Sequence, residues 1–312
     1  MRKAYSNIYF VLFFVLFLLF SCAGHVIKRN SYGDADNLPK KRADYSFVKK
    51  KMALLDFFNE SPFGGDDLAV VGTEEMRTEL TRSGQFIVDP EGNRIFGTSK
   101  EIYSGGGAKL VQLAKKAKLS GINFVVYGRI IDARIREKTD EIGFIRKTNS
   151  YSETLVEIRI FDVNSNKEVF TRKVDGNADD STFRFYSSQK ENRLQYRQEM
   201  LRYSARVAIR RSIAMITEFG SKLDWVGRVA RIIGNKIYVN AGRNSGINVG
   251  DVLKVMTEGE EIYDPETGAL IGKSKGEMKG TLEIVDYFGP DGTIAILHSG
   301  GSVLEGDFVQ LY

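Results

Sequence analysis

An α+β body followed by a small all-β barrel is the fold class this sequence predicts. Two observations carry it. Between residues 48 and 222, short β-prone runs alternate with runs of helical period, in the order βαβαβββα, which makes a mixed sheet with packed helices. From Trp225 the style changes. Of the 31 glycines, 15 fall in the last 88 residues, between short β-prone runs, and such spacing argues for a barrel or sandwich. A third feature, the apolar run 8–20, sets the ends. The chain divides into 1–21, 22–47, 48–222 and 225–312.

Arg2 and Lys3 precede IYFVLFFVLFLLF, 13 residues without charge. That length suits the h-region of an export signal, roughly 7–15 residues, and falls short of the about 20 needed to cross a bilayer as a helix. The run ends Leu19-Phe20-Ser21-Cys22-Ala23. These residues resemble the lipobox of bacterial lipoproteins, with Leu19 and Ser21 as the signal-peptidase recognition positions and Cys22 as the acceptor. The resemblance implies cleavage before Cys22, a diacylglycerol thioether on its sulfur and an acyl chain on its new amino group. It implies no other cofactor. Each buried methylene contributes about 0.8 kcal/mol, and two or more chains hold where one would not. Ala23, in place of an acid, implies sorting to the outer membrane, on its periplasmic side. Cys22 is the only cysteine, so no disulfide forms within the chain.

Removing residues 1–21 takes away two cations and no acid, so the formal charge of +5 falls to +3 on 291 residues. That mild excess does not mark a nucleic-acid binder. Residues 22–47 are polar and without period, a tether. Lys40-Lys41-Arg42 and Lys49-Lys50-Lys51 could touch anionic lipid head groups; a solvated linker is the plainer reading.

In the first body, KMALLDFF (51–58) reads as a buried strand. Residues 66–83 carry Leu68, Val71, Met76 and Leu80 at helical spacing, with Ser83-Gly84 as the stop. Gln85–Val88 is a short strand closed by Asp89-Pro90-Glu91-Gly92. Ser104 and Gly105–Gly107 lead into a helix ending at Gly121. Asn123–Ile131 is strongly β-prone. Glu153–Asp162 alternates, with Leu155, Glu157, Arg159 and Phe161 on one face, and returns through Asn164-Ser165-Asn166 to Lys167–Val174. The last helix, about 193–219, has Leu201, Ala205, Ala208, Ile209, Ser212, Ile216 and Phe219 as its inner stripe.

AKLSGINFVVYGRI (117–130), the paired strands ETLVEIRIFDVNSNKEVFTRKV and the opening KMALLDF resemble the periplasmic domain of the curli-secretion lipoprotein (CsgG) family. The resemblance covers about residues 50–222. It implies a lipid-anchored, ring-forming homo-oligomer, and in the best-known type an outer-membrane export pore. A pore subunit adds two transmembrane hairpins of about 9–11 residues per strand. The first candidate, 130–155, has Ile131, Ala133 and Ile135 on one face, but charges follow from Glu137, so its apolar face is too short. The second, 175–200, carries charge on both faces. The sequence therefore predicts shorter polar hairpins in place of the pore strands.

In the second body the candidate strands are 226–233, 236–240, 252–256, 280–288, 293–297 and 307–311, with a tight hairpin at Ile233–Lys236. GRVARIIGNKIYVNAGRNSGINVGDVLKV (227–255), DPETGALIG (264–272) and the late EGDFVQLY resemble the C-terminal domain of the flagellar assembly protein T family. That implies an SH3-like barrel and a partner among flagellar basal-body or other envelope proteins. Asn240, Gly242, Gly246, Ile247, Gly250 and Asp251 form its most specific element, with the glycines expected at positive φ.

Gly268–Ser274 is one residue short of a phosphate loop and no helix follows, so a β-turn is expected. Ser104–Gly107 reads as a flexible loop. The two histidines, His25 and His298, cannot make a metal set with an acylated cysteine. No enzyme is expected. Arg202, Arg206 and Arg210 recur opposite the apolar stripe of the last helix. A solvated face is the plain reading; a contact with acids of a neighbouring subunit is the sharper one.

The reading is an outer-membrane-anchored, periplasmic lipoprotein acting as a structural, ring-forming component of an envelope assembly such as a flagellar motor ring, bound to outer-membrane lipid and to no nucleic acid. A subunit of an export channel is the alternative.

Overall fold

The computed structural model describes residues 48–142, 145–179, 193–268, 270–274 and 276–312. The export signal, the tether, Leu19, Ser21, Cys22, His25 and Lys40–Arg42 lie outside them. The order is β1 (Lys50–Leu54), β2 (Phe58–Asn59), α1 (Gly65–Arg82), β3 (Phe86–Asp89), α2 (Gly92–Phe96), α3 (Ser99–Gly105), α4 (Gly107–Leu119), β4 (Phe124–Ile142), β5 (Ile145–Asp162), β6 (Lys167–Asp179) and α5 (Arg193–Ser221). The second part runs β7 (Gly227–Ile233), β8 (Lys236–Val239), β9 (Val252–Met256), β10 (Glu261–Tyr263), β11 (Leu270–Lys273), β12 (Met278–Phe288), β13 (Gly292–Gly300) and β14 (Phe308–Leu311).

The first sheet runs β3-β1-β4-β5-β6, with β2 beside β4. β1 is parallel to β3 and β4; β5 is antiparallel to β4 and β6. Two helix layers cover it. α1 and α5 take one face, burying Leu68, Met76, Leu80, Leu201, Ile209 and Ile216 against Met52, Val126, Ile130 and Ile158. α1 does so because Leu68, Gly72, Met76 and Leu80 recur every fourth residue. Asp66 and Asp67 sit in its first turn and Arg82 in its last, each favourable to the helix dipole. α2, α3 and α4 cover the other face at the β3-β1-β4 end, packing Phe96, Ile102, Leu110 and Ala114 on Leu55, Val125 and Tyr127. The far end of that face, on β5 and β6, carries no helix from this group.

The α+β class is as expected, with differences of extent. The expected helix after Gly105–Gly107 is α4, and an unexpected short helix, α3, precedes it: Thr98 caps α3 by accepting from the Glu101 amide, and Gly106, at φ +67, turns the chain between the two. Ser104 and Gly105 therefore end a helix rather than form a flexible loop. β4 and β5 run 19 and 18 residues, well past the expected ends. A bulge between Ile130 and Asp132 shifts the alternation so that Ala133 and Ile135 stay on the α5 face. Hence the first pore candidate is not a short polar hairpin. Its inner face packs on a helix of the same chain. Ser152 Oγ donates to Met200 O at 2.8 Å, and Thr154 and Ser204 hydroxyls meet at 2.7 Å. Of the second candidate, residues 180–192 lie outside the described residues.

The second part is a closed six-stranded antiparallel barrel, β12-β13-β8-β7-β14-β9, around Trp225, Val229, Val239, Leu253, Leu282 and Val309. The exposed hairpin β10–β11 was not legible in the sequence, because β10 buries no residue and so shows no alternation. Gly268–Ser274, expected as a β-turn, is instead mostly strand, since β11 takes Leu270–Lys273. Gly246 and Gly250 take positive φ, but Gly242 does not. Gly242 is needed for close approach instead: a Cβ there would lie 2.7 Å from the Gly292 amide.

Asp291 fixes that corner. Its carboxylate accepts from the Gly242 amide (2.9 Å), the Ser245 amide (3.0 Å) and Ser245 Oγ (2.7 Å). Asp291→Ala should cost about 2 kcal/mol in chemical denaturation, since hydrogen bonds to a charged acceptor are the stronger kind and three donors lose theirs. The sheet and the barrel fall in one compact unit. Val48 packs into the barrel core, and Asn123 Nδ2 donates to Val226 O at 2.7 Å.

Candidate functional site

Among the described residues, a dense polar cluster lies on the sheet face where the α2–α4 layer ends. Strand alternation puts Tyr127 and Arg129 of β4 on that face, and register sets Arg129 opposite Glu157 and Tyr127 opposite Arg159. Glu157 is only 2% exposed. Arg129 Nε donates to Glu157 Oε2 at 2.6 Å and Arg159 Nη2 to Oε1 at 2.9 Å. Arg129 also holds Glu60 through two bonds of 3.0 Å. Tyr127 OH donates to Glu168 at 2.7 Å. α3 contributes Tyr103, whose ring lies between the guanidinium carbons of Arg129 (4.6 Å) and Arg159 (4.9 Å). Phe58 and Tyr127 meet the same ring edge-on, at 5.4 and 5.6 Å.

Burial alone would push the Glu157 carboxyl up. The hydrogen bonds from Arg129 and Arg159 override it and hold the group below its ordinary value. Burial likewise works against both arginines, and the bonds to Glu157 more than compensate, so both are raised. Tyr103 and Tyr127 are pushed up, first by burial and then by Glu157 and Glu168 respectively. At neutral pH the carboxylate is therefore charged and fully paired, and the phenols keep their protons. The cluster acts as a charge-compensated strut between α3 and the sheet. Beside it is an open cleft of about 380 Å³, lined by Phe58, Glu60, Lys100, Tyr103, Ser104 and Arg129. The signal for the cluster was Glu157 and Arg159 on one strand face closing on apolar Phe161. Their partners in β4 and α3 are 28 and 54 residues from Glu157, and no local pattern links them.

The arginines singled out on α5 meet acids of α1 in the same chain. Arg202 reaches Asp67 at 3.2 Å and also pairs with Glu199. Arg210 reaches Glu75 at 2.5 Å and Arg206 the same carboxylate at 3.7 Å. The expected acidic partners are thus supplied internally, by the helix packed alongside. A second cleft, of about 250 Å³, lies between the β5–β6 turn and the barrel, with Asp162, Ser165, Met256, Glu258, Phe308 and Gln310 among its walls. Lys118 bridges its sides, donating to Asn164 O and Glu258. His298 lies 3.6 Å from Glu283 on the barrel surface. Among the described residues no group of three His, Cys, Asp or Glu is placed to hold a metal, and no helix is long and apolar enough to cross a membrane.

No protein-family profile matches the chain, and no curated protein matches it. Solved structures resemble parts of it. One is the protein CT253 from Chlamydia trachomatis, 17% identical, covering 55% of this chain and 98% of that one at a TM-score of 0.37. Another is the lipoprotein GNA1162 from Neisseria meningitidis, 15% identical, covering 45% and 88% at 0.28. A third is the LpoB C-terminal domain from Salmonella enterica, 14% identical, covering 42% and 85% at 0.28.

Proposed function

We propose that this chain is a lipid-anchored protein of the bacterial envelope, sited on the periplasmic side of the outer membrane, that serves as a structural or partner-binding module and not as an enzyme. The observation that carries the reading is the N-terminal sequence. A basic start and an uncharged run of 13 residues lead to Leu19-Phe20-Ser21 and the sole cysteine, Cys22.

The finer assignment is a ring-forming homo-oligomer, with a CsgG-like sheet body and an SH3-like barrel, in an assembly such as a flagellar motor ring. Burial of Ala133, Ser152 and Thr154 beneath α5 favours it over an export-channel subunit, because those residues then present no face to lipid.

Mass spectrometry of the protein purified from envelopes tests the anchor. The expected N-terminal residue is Cys22 bearing a diacylglyceryl thioether, and Cys22→Ser should abolish that species. An unmodified Cys22, or retention of residues 1–21, overturns the reading. Electron microscopy of the protein in detergent tests the assembly: a ring without a membrane barrel is expected, and a ring with one restores the channel.

A further inference from the structure

We infer that the outer face of α4, with the start of β1, is a contact surface for anionic phospholipid, so that the tethered body lies on the bilayer by this side. α4 reads GAKLVQLAKKAKL, with four lysines and no acid. Two of those lysines are engaged: Lys109 with Glu101 at 2.7 Å and Lys118 with Glu258 at 3.3 Å. Lys115 and Lys116 face solvent and have no acidic partner among the described residues. They sit on a ridge with two aliphatic side chains one and two turns apart, Val111 at 45% exposure and Leu119 at 69%. Helix spacing aligns 111, 115 and 119 on one line. Leucine and valine set among lysines is the composition of an interfacial helix face, apolar tips below and cations at the head groups.

The second observation is where the outlying chain joins. The described residues begin at Val48, 26 residues after Cys22. Lys49, just before β1, and Lys51 alternate onto the α4 side; Lys51 Nζ donates to Ser120 O at the end of α4 (3.2 Å) and is paired with Asp89 (3.0 Å), so it ties the chain's entry to α4 and adds no free charge. The basic ridge therefore adjoins the point at which the chain arrives from the proposed anchor. The inference rests on that anchor for its bilayer. Its charge chemistry selects an anionic surface, since each lysine close to one strengthens attachment about five-fold.

The test uses the full-length acylated protein in two vesicle types, pure phosphatidylcholine and an equal mixture with phosphatidylglycerol. With Cys22 blocked by its thioether, Leu119→Cys accepts an environment-sensitive fluorophore at one site. Its emission should shift to the blue in the anionic vesicles and not in the neutral ones. Lys115→Gln with Lys116→Gln, or high salt, should remove most of the shift. The same label at Val70→Cys, 60% exposed on α1 at the opposite face of the sheet, should stay unshifted. Flotation with both vesicle types and no shift at position 119 overturns the inference while leaving the anchor intact. Equal shifts at 70 and 119 also overturn it. Failure to float with neutral vesicles, with the shift at 119 preserved in anionic ones, supports this surface and sinks the anchor instead.

Discussion

Glu157→Gln is expected to destabilise the folded protein by about 3 kcal/mol, read as a lower urea midpoint at neutral pH. The wild-type carboxylate is almost fully buried and accepts from two guanidinium groups. Removing one member of a buried charge set costs about 3–5 kcal/mol, because the partners remain without their counter-charge. The lower end applies here. Arg129 keeps Glu60 and Arg159 keeps Glu168, and both guanidinium groups are part-exposed. The glutamine amide also keeps one acceptor oxygen for one arginine but turns its NH2, a donor, toward the other.

The pH dependence has a definite sign. Glu157 has a folded-state value below its unfolded one, so its contribution is complete above the unfolded carboxylate value, about 4.3, and is lost as pH falls through the lower folded value. The gap between wild type and variant should hold level from neutral pH down to about 5 and close only in strong acid. A variant within 1 kcal/mol of wild type at neutral pH would show that the arginines do not depend on this carboxylate.

The parts of the fold that were legible are those where burial imposes a period. α1 and α5 declared themselves through four-residue recurrence. β9 did so through its short apolar run VLKVM, whose observed limits match the expected ones. Legibility failed where tertiary contacts set the limits. The outer halves of β4 and β5 read in sequence as a shorter polar hairpin, yet they pair in register out to Ile142 and Ile145 beyond a bulge at Ile130–Asp132. The Glu157 cluster was half visible, as an acid and a base on a face that closes on Phe161. Its completion by Tyr103 depends on how α3 docks. The arginines of α5 were visible as a row, but only packing reveals that α1 presents Glu75 and Asp67 to them.

Gly176→Val is expected to cost about 3 kcal/mol and to lower the melting temperature by about 10 °C, since 1 kcal/mol is worth roughly 2–4 °C at this size. Gly176 lies on β6 opposite Thr154, under the first half of α5. A Cβ there would fall 2.0 Å from Ser204 O and 2.4 Å from the Ala208 amide. Those atoms are helix backbone and cannot rotate aside, so α5 must lift from the sheet. Lifting stretches the buried Ser152–Met200 and Thr154–Ser204 hydrogen bonds, whose groups have no water to replace them. Overpacking typically costs 1–3 kcal/mol, and a clash with backbone belongs at the top of that range. Alanine at the same position should act in the same direction, because its Cβ already meets the obstruction. The double variant Gly176→Val with Ala208→Gly separates two causes. It removes the Ala208 methyl, 2.9 Å from the new Cβ, but leaves Ser204 O and the Ala208 amide in place. Little recovery is expected. Full recovery would mean that a side chain, and not the helix backbone, sets how closely α5 rides on the sheet.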